Sequence, residues 1–176
     1  MKKVLIITLI FILAACLVIL PACSKDSETA EPVNYDTEQT TSATSFFFSE
    51  VGDGSLQVSG NGSELPENIV IPSVYDGKQV TVIQDHAFKG YKTIKSVVLP
   101  ASITQISLSA FYDCDALTEI TIPKSVTTIQ YIAFYGCHHL KTVNFDGTIN
   151  EWKAISKDGA FYSDPIVHCT DGDFEE

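Results

Sequence analysis

The residues of this protein with chemistry beyond packing are its five cysteines, four histidines and twenty-two carboxylates. Cys114 and Cys137 are 23 residues apart, and two thiols at a fixed spacing can pair, ligate a metal or act as nucleophiles. His138 and His139 follow Cys137 directly, so thiol and imidazole, the ligand types zinc selects, stand side by side. Adjacent side chains diverge in direction, however, so the histidine pair does not readily share an ion, and no carboxylate cluster has ligand spacing. Asp171-Gly172-Asp173 is too short for a calcium loop. Cys–His or Ser–His–Asp catalysis needs a nucleophile activated in a pocket, and the histidines here are scattered. The reading is no catalytic residue, no metal ligand and no cofactor, hence a protein that is not an enzyme.

The elements that hold these residues explain the cysteines in another way. Phe88, Phe111 and Phe134 are spaced by 23, as are Ala87, Ala110 and Ala133, and Ile83, Ile106 and Ile129. Val80, Ile103 and Val126 keep the same period, as do Pro100 and Pro123, and Ile94, Leu117 and Leu140. Cys114 and Cys137 belong to this series. A period in the twenties marks a leucine-rich-repeat solenoid. Stacked coils lie about 4.8 Å apart, which does not exclude a disulfide. Equivalent side chains in a stack point in parallel, which disfavours the torsion a disulfide needs. A ladder of buried, unpaired thiols is expected. Cys169 is read as an unpaired cap residue.

Within a coil, Leu117-Thr118-Glu119-Ile120-Thr121-Ile122 ends in strand-like alternation, and Pro123 stops the strand by removing a ladder donor. Val126 and Ile129 return to the core, and Ala133-Phe134 is a small–large pair on a tight helical or 3-10 turn. A single coil buries too little apolar area to offset its ordering entropy, so stacking must stabilise it. The first unit has five extra residues before Val80, with Asp76-Gly77 supplying a turn.

These residues resemble the BspA-like leucine-rich-repeat family of bacterial surface proteins. The motif stands here as Ile120-Thr121-Ile122-Pro123-Lys124-Ser125-Val126-Thr127-Thr128-Ile129, then Ala133-Phe134-Tyr135-Gly136-Cys137-His138-His139-Leu140. The second unit repeats it from Leu99-Pro100 to Ala110-Phe111-Tyr112-Asp113-Cys114, and the first departs at Tyr91, where cysteine is expected. With its caps the resemblance runs from Phe46 to Asp173. It implies a β-rich solenoid, a short right-handed stack of coils capped at both ends, and adhesion to host proteins or other cells.

The expected organisation has five parts. Residues 46–68 form an N-terminal hairpin cap around Gly52-Asp53-Gly54. Residues 69–142 carry the repeats, and residues 143–176 form a C-terminal cap with a short helix at Trp152 and a last strand at Ile166-Val167-His168-Cys169. Ahead of these, Met1-Lys2-Lys3 is a basic start, and Val4 to Leu20 is apolar apart from Thr8. This run falls short of the ~20 apolar residues of a membrane span and reads as a signal peptide over residues 1–22. It ends at Leu20-Pro21-Ala22-Cys23, which resembles the lipobox of bacterial lipoproteins and implies a lipid on Cys23. Leu13-Ala14-Ala15-Cys16 is a better four-residue match, but cleavage there would leave Leu17-Val18-Ile19-Leu20 at the new terminus. An uncleaved membrane anchor is the alternative, and either way the folded part lies outside the cytoplasmic membrane. Residues 23–45 are acidic and Ser/Thr-rich without apolar periodicity, a tether reaching roughly 25 Å as a random coil. Asn61-Gly62-Ser63 has the form of a glycosylation acceptor, which carries little weight in a bacterial lipoprotein.

The charge narrows the partners. A product starting at Cys23 carries 9 lysines, no arginine and 22 acids, a net −13. Such a surface repels phosphate backbones, so nucleic acid is not an expected partner. The outward strand positions line up across coils in three columns: Glu67, Lys95, Thr118, Lys141; Asn68, Ser96, Glu119, Thr142; and Val70, Val98, Thr121, Asn144. Lys95, Ser96, Thr118, Glu119, Thr121, Lys141, Thr142 and Asn144 are the candidate binding face, for a host or cell-surface protein or a glycan. An ordinary solvated sheet and a structural envelope lipoprotein without external ligand are the competing readings, with an enzyme the third.

Overall fold

The computed structural model describes residues 41–175. The expected signal peptide over residues 1–22, the expected lipidation site Cys23 and the expected tether up to residue 40 lie outside the described residues. The domain opens with the antiparallel strands β1 (Phe46–Glu50) and β2 (Leu56–Gly60), Phe46 opposite Gly60 and Glu50 opposite Leu56. Asp53 closes the turn between them by accepting from the Ser55 N–H at 2.9 Å, while Gly54 takes φ +85°. Next come β3 (Asn68–Val70), β4 (Val74–Tyr75), β5 (Lys78–Ile83), β6 (Ser96–Val98), β7 (Gln105–Ile106) and β8 (Glu119–Ile122). The domain ends with β9 (Thr128–Ile129), β10 (Thr142–Phe145), the helix α1 (Ile149–Ala154), β11 (Ile166–Cys169) and β12 (Gly172–Phe174).

Each coil contributes a strand to each of two sheets. The first sheet runs β3, β6, β8, β10, β11 with all five strands parallel, and β12 closes its edge antiparallel. The second runs β1, β2, β5, β7, β9, with β4 also paired to β5. Ile69, Val97, Ile120, Val143 and Val167 form the inward column of the first sheet. Val58, Ile83, Ile106 and Ile129 form that of the second. All nine are buried.

A third ladder runs through the turns. Phe88, Phe111 and Phe134 donate their N–H groups to the carbonyls of Ala110, Ala133 and Ala160 in the next coil at 2.7, 2.8 and 2.8 Å. Their rings stack face to face, with Phe161 as a fourth, at centroid distances of 5.1, 5.2 and 4.9 Å. Phe46 covers the first ring edge-on at 6.2 Å. The turns consist of single bonds between residues three apart, such as Tyr112 N–H to Ser109 O at 3.1 Å and Cys114 N–H to Phe111 O at 3.2 Å. They do not join into a helix because left-handed residues interrupt them. His86, Ser109 and Ile132 have φ of +56°, +53° and +50°, and Gly90, Asp113 and Gly136 repeat this four residues later. For a β-branched residue such as Ile132 that conformation is strained.

The period is lengthened twice at the same corner. Val70 pairs with Val98, a separation of 28, and Thr128 bridges Ser156, also 28, against 23 between Ile106 and Ile129. Both insertions of five residues lie between the first-sheet strand and the second-sheet strand. The first becomes the hairpin β4–β5, where Asp76 and Gly77 both take positive φ, the two-residue turn that suits strand twist. The second becomes α1, whose Thr148 and Glu151 form a reciprocal capping box.

Residues 41–45, read from sequence as the end of the tether, are bonded to the domain. Thr41 N–H donates to Val70 O at 3.2 Å, Val70 N–H donates to Thr41 Oγ1 at 2.9 Å, and Asn61 Nδ2 donates to Thr44 O at 2.7 Å. Among the described residues, no helix is long and apolar enough to cross a membrane.

Candidate functional site

Two exposed surfaces repeat in register along the stack. The first is the outer side of the parallel sheet. Pairing places Asn68, Ser96, Glu119, Thr142 and Ile166 in one column and Val70, Val98, Thr121, Asn144 and His168 in another. Lys95, Thr118 and Lys141 precede them by one residue and are tied coil to coil, Lys141 N–H donating to Thr118 O at 3.0 Å and Thr118 Oγ1 to Lys95 O at 3.0 Å. The eight residues named from sequence therefore share one face. Several are already engaged with each other. Lys95 Nζ reaches Glu67 Oε2 at 2.8 Å, Ser96 Oγ donates to Asn68 Oδ1 at 2.8 Å, and Asn144 Nδ2 donates to the Glu119 carboxylate. Exposed pairs of this kind contribute little stability but reduce what the side chains offer to a partner. Sequence reading left out the last coil, which adds exposed Ile166 and His168, the latter 2.7 Å from Asp173 Oδ1.

The second surface lies on the turns. The residue after each core phenylalanine is forced outward, because the phenylalanine itself points in. Those residues are Lys89, Tyr112, Tyr135 and Tyr162. The Tyr112 and Tyr135 rings stack at 5.5 Å and 18°, and Tyr162 meets Tyr135 edge-on at 5.2 Å. Lys89 Nζ sits 4.9 Å over the Tyr112 ring, and His138 closes the other end 4.8 Å from Tyr162. Tyr135 and Tyr162 are 43% and 52% exposed, which is high for rings already in contact with each other. The repeated Phe-Tyr at 111–112, 134–135 and 161–162 is the sequence signal for this row. The third pair falls off the 23-residue period because of the second insertion, so the period alone does not find it.

His138 and His139, expected to diverge, both reach Asp115. His138 Nδ1 is 2.9 Å from Asp115 Oδ1, and His139 Nδ1 is 2.8 Å from Asp115 O. The hydrogen bond from His138 holds the Asp115 carboxyl below the usual carboxylate range, with the charge of His139 adding to it. Among the described residues, no group of three His, Cys, Asp or Glu side chains has a geometry that could hold a metal.

Cys114 and Cys137 are unpaired and buried, and each thiol donates across the stack, to Phe88 O at 3.0 Å and to Phe111 O at 3.1 Å. Burial pushes the Cys114 thiol up to about 12 and that of Cys137 up as well. Such thiols hold their protons at neutral pH and are not nucleophiles there. A cleft of about 30 Å³ between Trp152, Phe161, Val167 and Phe174 has room for about one water.

A sequence profile described as "BspA type Leucine rich repeat region" matches residues 63–170 in six copies. No curated protein matches this sequence. Among solved structures, a leucine-rich-repeat protein of T. pallidum is similar with a TM-score of 0.57 and 24% identity, over 70% of this chain and 58% of that one. One from Bacteroides capillosus has a TM-score of 0.52 and 24% identity over 74% of this chain and 97% of that one. One from Bacteroides ovatus has a TM-score of 0.51 and 25% identity over 64% of this chain and 32% of that one. The match thus spans little more than half of the T. pallidum protein and a third of the B. ovatus one. These likenesses bear on the fold.

Proposed function

Since the protein belongs to the BspA-type leucine-rich-repeat family, we propose that it is a binding module held at the cell surface by a lipid on Cys23, and that it engages a protein partner through the tyrosine row on its turns. The observation that supports this reading is the row itself: Tyr112, Tyr135 and Tyr162 in register and braced against one another, Tyr112 half-buried and the other two exposed. Tyrosine offers a large amphipathic contact area with few rotors, and rings already stacked lose little further freedom on binding. Tyrosine is also enriched among the residues that carry binding energy. The role is adhesion without catalysis. Many tethered copies supply avidity to a weak single contact.

The second reading places the partner on the strand face. It is favoured by Lys141, Thr121 and Thr142, whose side-chain polar atoms have no partner among the described residues. Two double variants separate the readings. Tyr135→Ser with Tyr162→Ser is expected to weaken adhesion of cells displaying the protein about tenfold or more, as loss of two such anchors does. Lys95→Glu with Lys141→Glu is expected to change it within about threefold, as rim charges do. The reverse pattern assigns the strand face. Unchanged adhesion in both folded variants excludes both faces and refutes the tyrosine-row reading.

Anchoring has its own test. A clickable palmitate analogue is expected to label the wild type and Cys16→Ser but not Cys23→Ser. Labelling of Cys23→Ser would refute the assigned lipidation site.

A further inference from the structure

Asn61-Gly62 is the one Asn-Gly pair in the sequence, and it lies in the loop after β2. Asn-Gly is chemically labile because glycine leaves its backbone nitrogen unhindered for attack on the amide carbon of the preceding asparagine. Around Asn61 the electrophile is prepared. Ser63 N–H donates to Asn61 Oδ1 at 2.9 Å, and the Ser63 hydroxyl donates to the same oxygen. Two donors thus stand where negative charge would develop as a nucleophile adds to Cγ. The nucleophile is what is withheld: Gly62 N–H donates to the Tyr91 hydroxyl oxygen at 2.9 Å. The Tyr91 ring is fixed in place edge-on to Phe88 at 6.1 Å and against Gly60, where a Cβ would collide with it. Tyr91 is 23 residues before Cys114 and takes the place that the next two coils give to cysteine.

We infer that Asn61 is a latent deamidation site held closed by the Tyr91 hydroxyl. Once Gly62 is released, its nitrogen bonds to Asn61 Cγ and gives up its proton, and the bond between Cγ and Nδ2 breaks as ammonia leaves with a proton. Water then opens the five-membered imide at either carbonyl, leaving aspartate or isoaspartate at position 61. No oxidant or reductant takes part. The product matters to the fold because Asn61 Nδ2 donates to Thr44 O. A carboxylate has no donor there and sets oxygen against oxygen, removing the bond to Thr44 and leaving residues 41–45 held by their backbone bonds and by Thr41.

The test is incubation of the purified protein at mildly alkaline pH, with mass spectrometry of the peptide carrying Asn61. Tyr91→Phe keeps the ring and removes the oxygen. It is expected to speed conversion about three- to tenfold, the range a lost hydrogen bond allows. Adding Ser63→Ala to Tyr91→Phe is expected to slow it again. Equal rates in the wild type and Tyr91→Phe would overturn the inference. So would an acceleration that Ser63→Ala leaves untouched, since that marks a loop that has come loose rather than a prepared site.

Discussion

Phe111→Ala is expected to lower the unfolding free energy by about 3–5 kcal/mol, the range for truncating a buried aromatic ring. Phe111 is fully buried between Phe88 and Phe134 at 5.1 and 5.2 Å. Neither neighbour can collapse into the gap without leaving its own hydrogen-bonded turn, since the N–H of Phe111 and that of each flanking phenylalanine are bonded to the next coil. Two coil interfaces weaken at once, and the loss is a large part of the ~5–15 kcal/mol that holds a typical domain. Lys124→Ala, on an exposed residue of the neighbouring coil, is expected to change stability by less than about 0.5 kcal/mol. Chemical denaturation of the two variants compares them directly. Equal midpoints would mean that the phenylalanine column is not what binds the coils together.

The second large effect is alkaline unfolding. Burial raises the Cys114 thiol from 9.0 to about 12 and moves Cys137 in the same direction. The folded state then keeps two protons that the unfolded state releases. The stability linked to them is full below pH 9 and is lost as pH rises from 9 towards 12. Each thiol contributes a loss of about 1.4 kcal/mol per pH unit in that window. The two losses act in the same direction over the same pH window. Cys114→Ala with Cys137→Ala is expected to start from a lower stability at neutral pH and to decline less steeply above pH 9. Parallel alkaline limbs for wild type and double variant, followed by denaturation at fixed pH, would show that the thiols are not responsible.

The core was legible in the sequence because a solenoid writes its interior as a period. Ile83, Ile106 and Ile129, the phenylalanines and the two cysteines are spaced by 23 and are all buried. The second sheet was less visible, since β7 and β9 are two residues long and too short to show alternation. The fourth ring of the phenylalanine column, Phe161, was missed because the insertion before Ser156, less one residue lost after it, sets Phe161 27 rather than 23 residues after Phe134. Tyr162 was hidden with it, and so was the full extent of the tyrosine row. The meeting of His138 and His139 on Asp115 depends on the neighbouring coil, which no spacing within one repeat encodes. Tyr91 was legible as a departure from the motif, but its hydrogen bond to Gly62 was not, because the two are 29 residues apart.

The two five-residue insertions separate the length of a coil from its alignment. Strands on both sides of the affected corner resume in step whether the added residues are folded back as a hairpin or wound as a helix. The corner behaves like the slack in a belt, and the two sheets like its fixed pulleys. The turns carrying the phenylalanines vary in length as well: Thr128 pairs with Ser156 and Thr142 with Ile166, so the stretch between these positions shortens from 14 residues to 10 in the last coil, while Phe134 stays bonded to Ala160. Insertions are taken up at this corner, and it is the edge of the scaffold open to grafting. A foreign loop set in after Pro100 or Pro123 would be displayed at that edge, while the geometry of the rest of the stack stays as it is.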